Sequence, residues 1–180
     1  MKYYLLGSSD GYNGLRFPDV NEWQKYMGYN PNIMEQWSAP HLEYVYSRRS
    51  KKKFDISTIC NPLFTMSCHA MDCLHELIIK YGVLLPIASP SNYAFFYCTN
   101  IVDALIPEES DIIYLDEKKN WISTINKFAL SKKAVNGCDI FRVPQSGFRY
   151  TFFSERFREQ VQKFDLKGVH FERIEPIALI

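Results

Sequence analysis

The densest grouping of chemically capable side chains is Cys68-His69-Ala70-Met71-Asp72-Cys73-Leu74-His75, which holds two thiols and two imidazoles. A zinc ion asks for four such ligands converging as a tetrahedron. On a helix, Cys68 and His75 are seven apart and share one face, whereas His69 and Cys73 are four apart and share another. One straight helix cannot aim all four at one ion, so no metal is expected. A nucleophilic thiol would need a base beside it and a third group to orient that base. The chain has five cysteines (Cys60, Cys68, Cys73, Cys98 and Cys138) and four histidines, and their spacing pairs none of them. An odd number of cysteines without a C-x-x-C reads as free thiols in a reducing cytoplasm. No dinucleotide fingerprint, phosphate loop, zincin motif or nucleophile elbow occurs. Gly7-Ser8-Ser9-Asp10-Gly11 reads as a polar turn, since it lacks the lysine of a phosphate loop. The chain is therefore expected not to be an enzyme and to need no cofactor. The competing reading is a small enzyme using Cys68 and His69, which fast alkylation of a perturbed thiol would reveal.

Charge is informative locally rather than globally. Net charge is +1, and basic and acidic residues are balanced in both halves. A dedicated nucleic-acid binder would show a basic excess. The cluster Arg48-Arg49-Ser50-Lys51-Lys52-Lys53 is the one segment that suits phosphate contacts, and such a run is more often a solvated loop. From Tyr81 to Glu117 there is no Lys or Arg, while Asp103, Glu108, Glu109, Asp111, Asp116 and Glu117 lie within it. If these six acids gather in space, they form a negative patch able to steer and hold a cationic protein surface. They are the candidate partner-binding residues.

The elements that must carry these residues are those of an α+β chain. At 180 residues, 47% of them apolar, it is long enough for one domain with a real core. An aromatic share of 16% serves that core first and binding surfaces second. No apolar run approaches the length of a membrane helix, and residues 3–6 are too few for a signal peptide, so a cytoplasmic location is expected. Strands are expected at 2–6, 41–46, 54–59, 83–88, 93–99, 111–115, 139–143, 149–153 and 169–174. Pro86 marks an edge strand. Residues 121–130 fit a strand or a short helix equally. Residues 1–40 are irregular after the first strand, with one short helix near 20–27 and a surplus of aromatics that offers a second candidate surface. The clearest helix is Cys68–Tyr81, with Met71, Leu74, Leu77, Ile78 and Tyr81 on one face, Ser67 as N-cap and Gly82 as its stop. A second helix follows the N-cap Ser154, carries Phe157, Val161 and Phe164, and is stopped by Gly168. No internal repeat or linker divides the chain. The expected architecture is a largely antiparallel sheet with two main helices packed against it.

An ordered series of short segments resembles the eleventh immunity-protein family of bacterial polymorphic toxin systems. It comprises Asp139-Ile-Phe-Arg-Val143, Tyr150-Thr-Phe-Phe-Ser154-Glu-Arg-Phe157 and Leu166-Lys-Gly168-Val-His-Phe171. Upstream, residues 52–56, Leu85-Pro86-Ile87, Tyr93 and Val102-Asp103-Ala104-Leu105 continue the likeness, which spans residues 40–174. The resemblance implies a protein that binds and neutralises a cognate toxin by blocking its active site or substrate path. It implies a toxin acting in the cytoplasm, on nucleic acid, nucleotides or the translation machinery. A nuclease would present a basic groove that the acids at 103–117 could occupy as a phosphate mimic. Neither membrane nor nucleic acid is an expected partner. The shared residues specify fold, so the resemblance carries over no site residue.

Overall fold

The computed structural model describes residues 2–19, 21–45, 52–116, 118, 122–172 and 177–180. In chain order its elements are β1 (Tyr3–Ser8), β2 (Gly14–Arg16), α1 (Ile33–Gln36), β3 (Glu43–Val45), β4 (Ile56–Ser57), β5 (Leu63–Ser67), α2 (Cys68–Tyr81), β6 (Gly82–Pro86), β7 (Tyr93–Cys98), β8 (Asp111–Tyr114), β9 (Ile122–Leu130), β10 (Ile140–Arg142), β11 (Thr151–Ser154), α3 (Glu155–Lys163), β12 (Val169–Glu172) and β13 (Ile177–Leu179). The class is α+β. Strands are ordered β4-β5-β7-β6 in one sheet, β10-β11-β1-β12 in a second and β13-β9-β8 in a third, with β2-β3 as a ribbon. All strand pairs are antiparallel except β13 with β9.

The two four-stranded sheets are built alike. In the first, Ile56 pairs with Met66, one residue before the N-cap Ser67. In the second, Ile140 pairs with Phe153, one residue before the N-cap Ser154. Ser67 Oγ donates to Asp55 Oδ1 at 2.9 Å, and Ser154 Oγ to Asp139 Oδ1 at 2.7 Å. Each serine also accepts from the third residue of its helix, Ala70 N at 3.1 Å and Phe157 N at 3.2 Å. Ser67 lies opposite Tyr93 on β7, and Ser154 opposite Tyr3 on β1. The Tyr93 hydroxyl donates to the Phe54 carbonyl at 3.5 Å and the Tyr3 hydroxyl to the Cys138 carbonyl at 2.8 Å, in each case the residue before the aspartate. The unit Asp-Ile strand, second strand, Ser-capped helix, Gly-Val strand therefore occurs twice. The expectation of no internal repeat is corrected. The repeat is hidden in sequence because the central strand of the second unit is β1, drawn from the far end of the chain, while in the first unit it is β7.

The two units grip one another reciprocally. Lys167, just before Gly168, accepts from Asp55 N and Ile56 N at 2.8 and 3.0 Å and donates its own N–H to Asp55 Oδ2 at 2.9 Å. Tyr81, just before Gly82, donates its hydroxyl to the Gly137 carbonyl at 2.8 Å, beside Asp139. Alternation along the strands divides the core. Phe64, Met66, Phe96, Ile140 and Phe153 face the helices, where Leu74, Ile78, Phe157 and Val161 meet them. The other face of the first sheet, with Leu63, Phe95 and Tyr97, is closed by Leu15, Phe17, Ile33 and Leu42. The other face of the second, with Tyr3, Phe141 and Phe152, is closed by Leu105, Ile125 and Phe128. Each repeated unit thus has a cover of its own, residues 12–45 for the first and 101–137 for the second.

Several sequence expectations change. The short helix near 20–27 is a 3-10 turn at Glu22–Tyr26. Residues 122–130 are a strand, because β8 and β13 pair on its two sides. Gly82 follows the last residue of α2, as expected, and does so in extended backbone that opens β6. Helix α3 ends at Lys163, before Gly168, which turns at φ +104° into β12. Pro86 lies at the end of an edge strand, as its missing N–H requires. The strands on either side of the basic cluster belong to different pairings, β3 with β2 and β4 with β5.

Candidate functional site

The thiol and imidazole segment is divided by the helix that carries it. Cys68, His69 and His75 are exposed on α2, and Cys73 is half-buried. His69 and Cys73, one turn apart, come together with Sγ 3.7 Å from Nδ1. Cys73 and His75 line the groove between α2 and α3 beside Arg156 and Gln160. Desolvation, helped by the charges of Asp72 and Asp55, pushes the Cys73 thiol up, which disfavours the thiolate a nucleophile needs. Among the described residues, no three His, Cys, Asp or Glu side chains are grouped to hold a metal.

Of the basic cluster, Lys52 and Lys53 are described and exposed, and residues 48–51 lie outside the described residues. Lys52 is taken up structurally. Its carbonyl accepts from Asn13 N at 3.0 Å and its ammonium lies 5.8 Å from the Tyr12 ring centre.

The aromatics of residues 12–45 mostly face inward. Phe17 is buried and stacks on Tyr26 and Phe95. Trp23 and Trp37 are half-buried against the same core, and Trp37 Nε1 donates to the Pro86 carbonyl at 2.8 Å. The second candidate surface is therefore chiefly a clasp over the first sheet, with Tyr29, Met34 and Tyr44 left exposed.

The acidic run is carried by the second cover. Ala104 and Leu105 are buried and anchor it. Ile106 N donates to the Ala129 carbonyl at 2.8 Å, and Ala129 N to Ser110 Oγ at 3.0 Å, so the run is stitched along β9. Between these anchors a 3-10 turn, Pro107–Glu109, presents Glu108 and Glu109 to solvent. Asp111 follows on β8, exposed, accepting from Asn126 Nδ2 at 3.2 Å. These three carboxylates lie within four consecutive residues, on one turn and the start of the strand after it. Asp103 lies on the other side of the buried Ala104-Leu105 pair and accepts from Gln145 Nε2. Asp116, half-buried, stands beyond the far end of β8. Glu117 lies outside the described residues. Elsewhere Glu43, Asp139, Glu155, Asp165 and Glu172 each have a cationic or imidazole partner. Glu108, Glu109 and Asp111 make no ion pair with a described residue, although Lys127 stands opposite Asp111 across the β8–β9 pair.

Sequence reasoning missed the residues between these acids. On β8 the exposed side chains alternate as Asp111, Ile113 and, just past the strand, Leu115, while Ile112 packs against the core. Ile113 is 46% exposed and Leu115 72%, the highest among the exposed large apolar residues. The signal was the alternation itself, since period 2 puts residues 111, 113 and 115 on one face. Which face met water depended on β9.

No helix among the described residues is long and apolar enough to cross a membrane. A comparison with curated proteins finds no match. A family model, described as the immunity protein family Imm11, matches residues 87–176. The match takes in β7, the acidic cover and the second unit from Asp139 through β12 without its central strand β1, and the upstream likeness at residues 40–86 falls outside it. Because the match covers half of the 180 residues and includes the strand–serine–helix unit that the tertiary contacts single out, the chain belongs to the immunity protein family Imm11.

Proposed function

We propose that this immunity protein works in the cytoplasm, by binding a cognate toxin and blocking its active site or substrate path. The observation that carries the reading, beyond family membership, is the exposed acidic surface at Glu108, Glu109 and Asp111 on the second cover, whose carboxylates make no ion pair with a described residue. Asp103 and Asp116 extend it, and Glu117 belongs to the same run in sequence. Exposed carboxylates outside ion pairs project a negative field, and such a field accelerates association with a cationic surface and selects against anionic ones. A nuclease toxin, whose substrate groove must attract phosphates, is the partner class that such a surface fits. Inhibition by this route needs binding alone and no catalytic residue on this chain.

The test is co-expression with each toxin gene found next to its own, scoring growth and co-purification. The expected result is rescue with a stable complex. Reversing Glu108, Glu109 and Asp111 to lysine is expected to slow association and to lower protection at limiting expression. Rescue that is unchanged by the triple reversal would remove the acids from the interface. An active toxin with neither rescue nor complex would remove the pairing.

A further inference from the structure

We propose that the toxin docks on the outer edge of β8 by adding an extended segment of its own as the next strand of the β13-β9-β8 sheet. This rests on the toxin-binding reading above and names the mode of contact. β8 ends its sheet, with no strand beyond it among the described residues. The edges at β4, β10 and β6 are covered. Lys167 accepts from Asp55 N and Ile56 N along β4. Asn100 and Val102 bond both backbone groups of Arg142 on β10, each at 2.9 Å. Trp37 occupies the Pro86 carbonyl on β6.

An open edge flanked by exposed apolar side chains is a template for another chain. Ile113 and Leu115 provide the apolar row, on the same face as Asp111. A second copy of this chain is a poor occupant, because β8 against β8 would set like carboxylates opposite or diagonal to one another, which is destabilising. The charge complement is a strand with alternating apolar residues and Lys or Arg at its ends. One end would meet Glu108, Glu109 and Asp111, and the other Asp116. The register shifts between β8 and β9 leave the extra residues, Asn126 and Ser123, on β9, and β8 itself is only 4 residues long, so the added ladder is short. The side-chain contacts of Ile113 and Leu115 must then supply much of the affinity. The edge also lies on a cover, outside the repeated units, where surface can vary without disturbing the scaffold.

The test uses the full chain and the purified toxin domain that co-expression identifies as its cognate partner, carrying an inactivating active-site substitution. Backbone hydrogen exchange at residues 111–115 is expected to slow at least about tenfold in the complex. The pair Ile113→Lys and Leu115→Lys is expected to weaken binding roughly 100-fold with an unchanged melting temperature, since both side chains are already in water. A complex that forms with wild-type affinity in the double variant, without protection at 111–115, would overturn the edge and leave the immunity reading intact. Protection of the same amides in the free chain through a concentration-dependent dimer would equally overturn it, in favour of a second copy. Absence of any complex with wild-type chain would count against the immunity reading itself, and the edge would fall with it.

Discussion

Cys60 and Cys98 lie in the interior at 2% and 0% exposure, and burial pushes both thiols from an ordinary 9.0 up to about 12. Burial likewise holds the Tyr93 phenol at about 12, against an ordinary 10.0. In each case the fold favours the neutral form. The stabilisation is complete below about pH 9, where the unfolded thiol is still protonated, and is lost as pH rises toward about 12. The denaturant midpoint is therefore expected to hold between about pH 7 and 8.5 and to fall above about pH 9. A midpoint constant to about pH 11 would contradict this. Arg142 is fully buried and donates Nε to the Phe148 carbonyl at 2.8 Å and Nη2 to the Met27 carbonyl at 3.3 Å. Its guanidinium lies 5.1 Å from the Tyr97 ring centre, so one side chain joins β10, β7 and the first cover. Nothing about an arginine in Phe141-Arg142-Val143 announces a core residue.

Elements begin where the sequence provides a cap and end where the neighbouring chain allows. Ser67 and Ser154 are visible N-caps, and each is worth roughly 1 kcal/mol. Gly168 is a different kind of position. Its φ is +104°, and an added Cβ would stand 2.3 Å from the Ile56 carbonyl oxygen and 2.7 Å from Phe54 Cβ. Those neighbours belong to the start of the other repeated unit, so the glycine permits the reciprocal contact through Lys167. Gly168→Ala is expected to destabilise by about 2 kcal/mol or more, because it adds both backbone strain and a clash with backbone. Gly28, with open space at its Cβ, is the control, and Gly28→Ala is expected to change stability by no more than ~0.5 kcal/mol. Urea unfolding of both variants checks the contrast. Equal effects would mean that the Lys167–Asp55 contact tolerates a shift.

Over the whole molecule, β1 supplies the central strand of the second unit and pairs with both β11 and β12. Deleting residues 1–8 is expected to abolish protection from hydrogen exchange across residues 139–172, with residues 54–98, which have their own central strand in β7, losing less. Uniform loss would show that the units cannot open separately. The sequence by itself determined the local features: the α+β class, the helix Cys68–Tyr81, both serine caps, most strands and the family likeness. These rest on periodicity, capping chemistry and turn residues, which act over a few positions. It also isolated the acids at 103–117 as a run without counter-charge. The tertiary structure alone decided what depends on distant partners. Residues 122–130 became a strand because two strands flank them. The aromatics of residues 12–45 became chiefly a clasp because the first sheet needed a cover. The repeat became visible because β1 and β7, about 90 residues apart in sequence, make the same contacts. Ile113 and Leu115 met water because Ile112 took the core face, and a one-residue change of register would have reversed them.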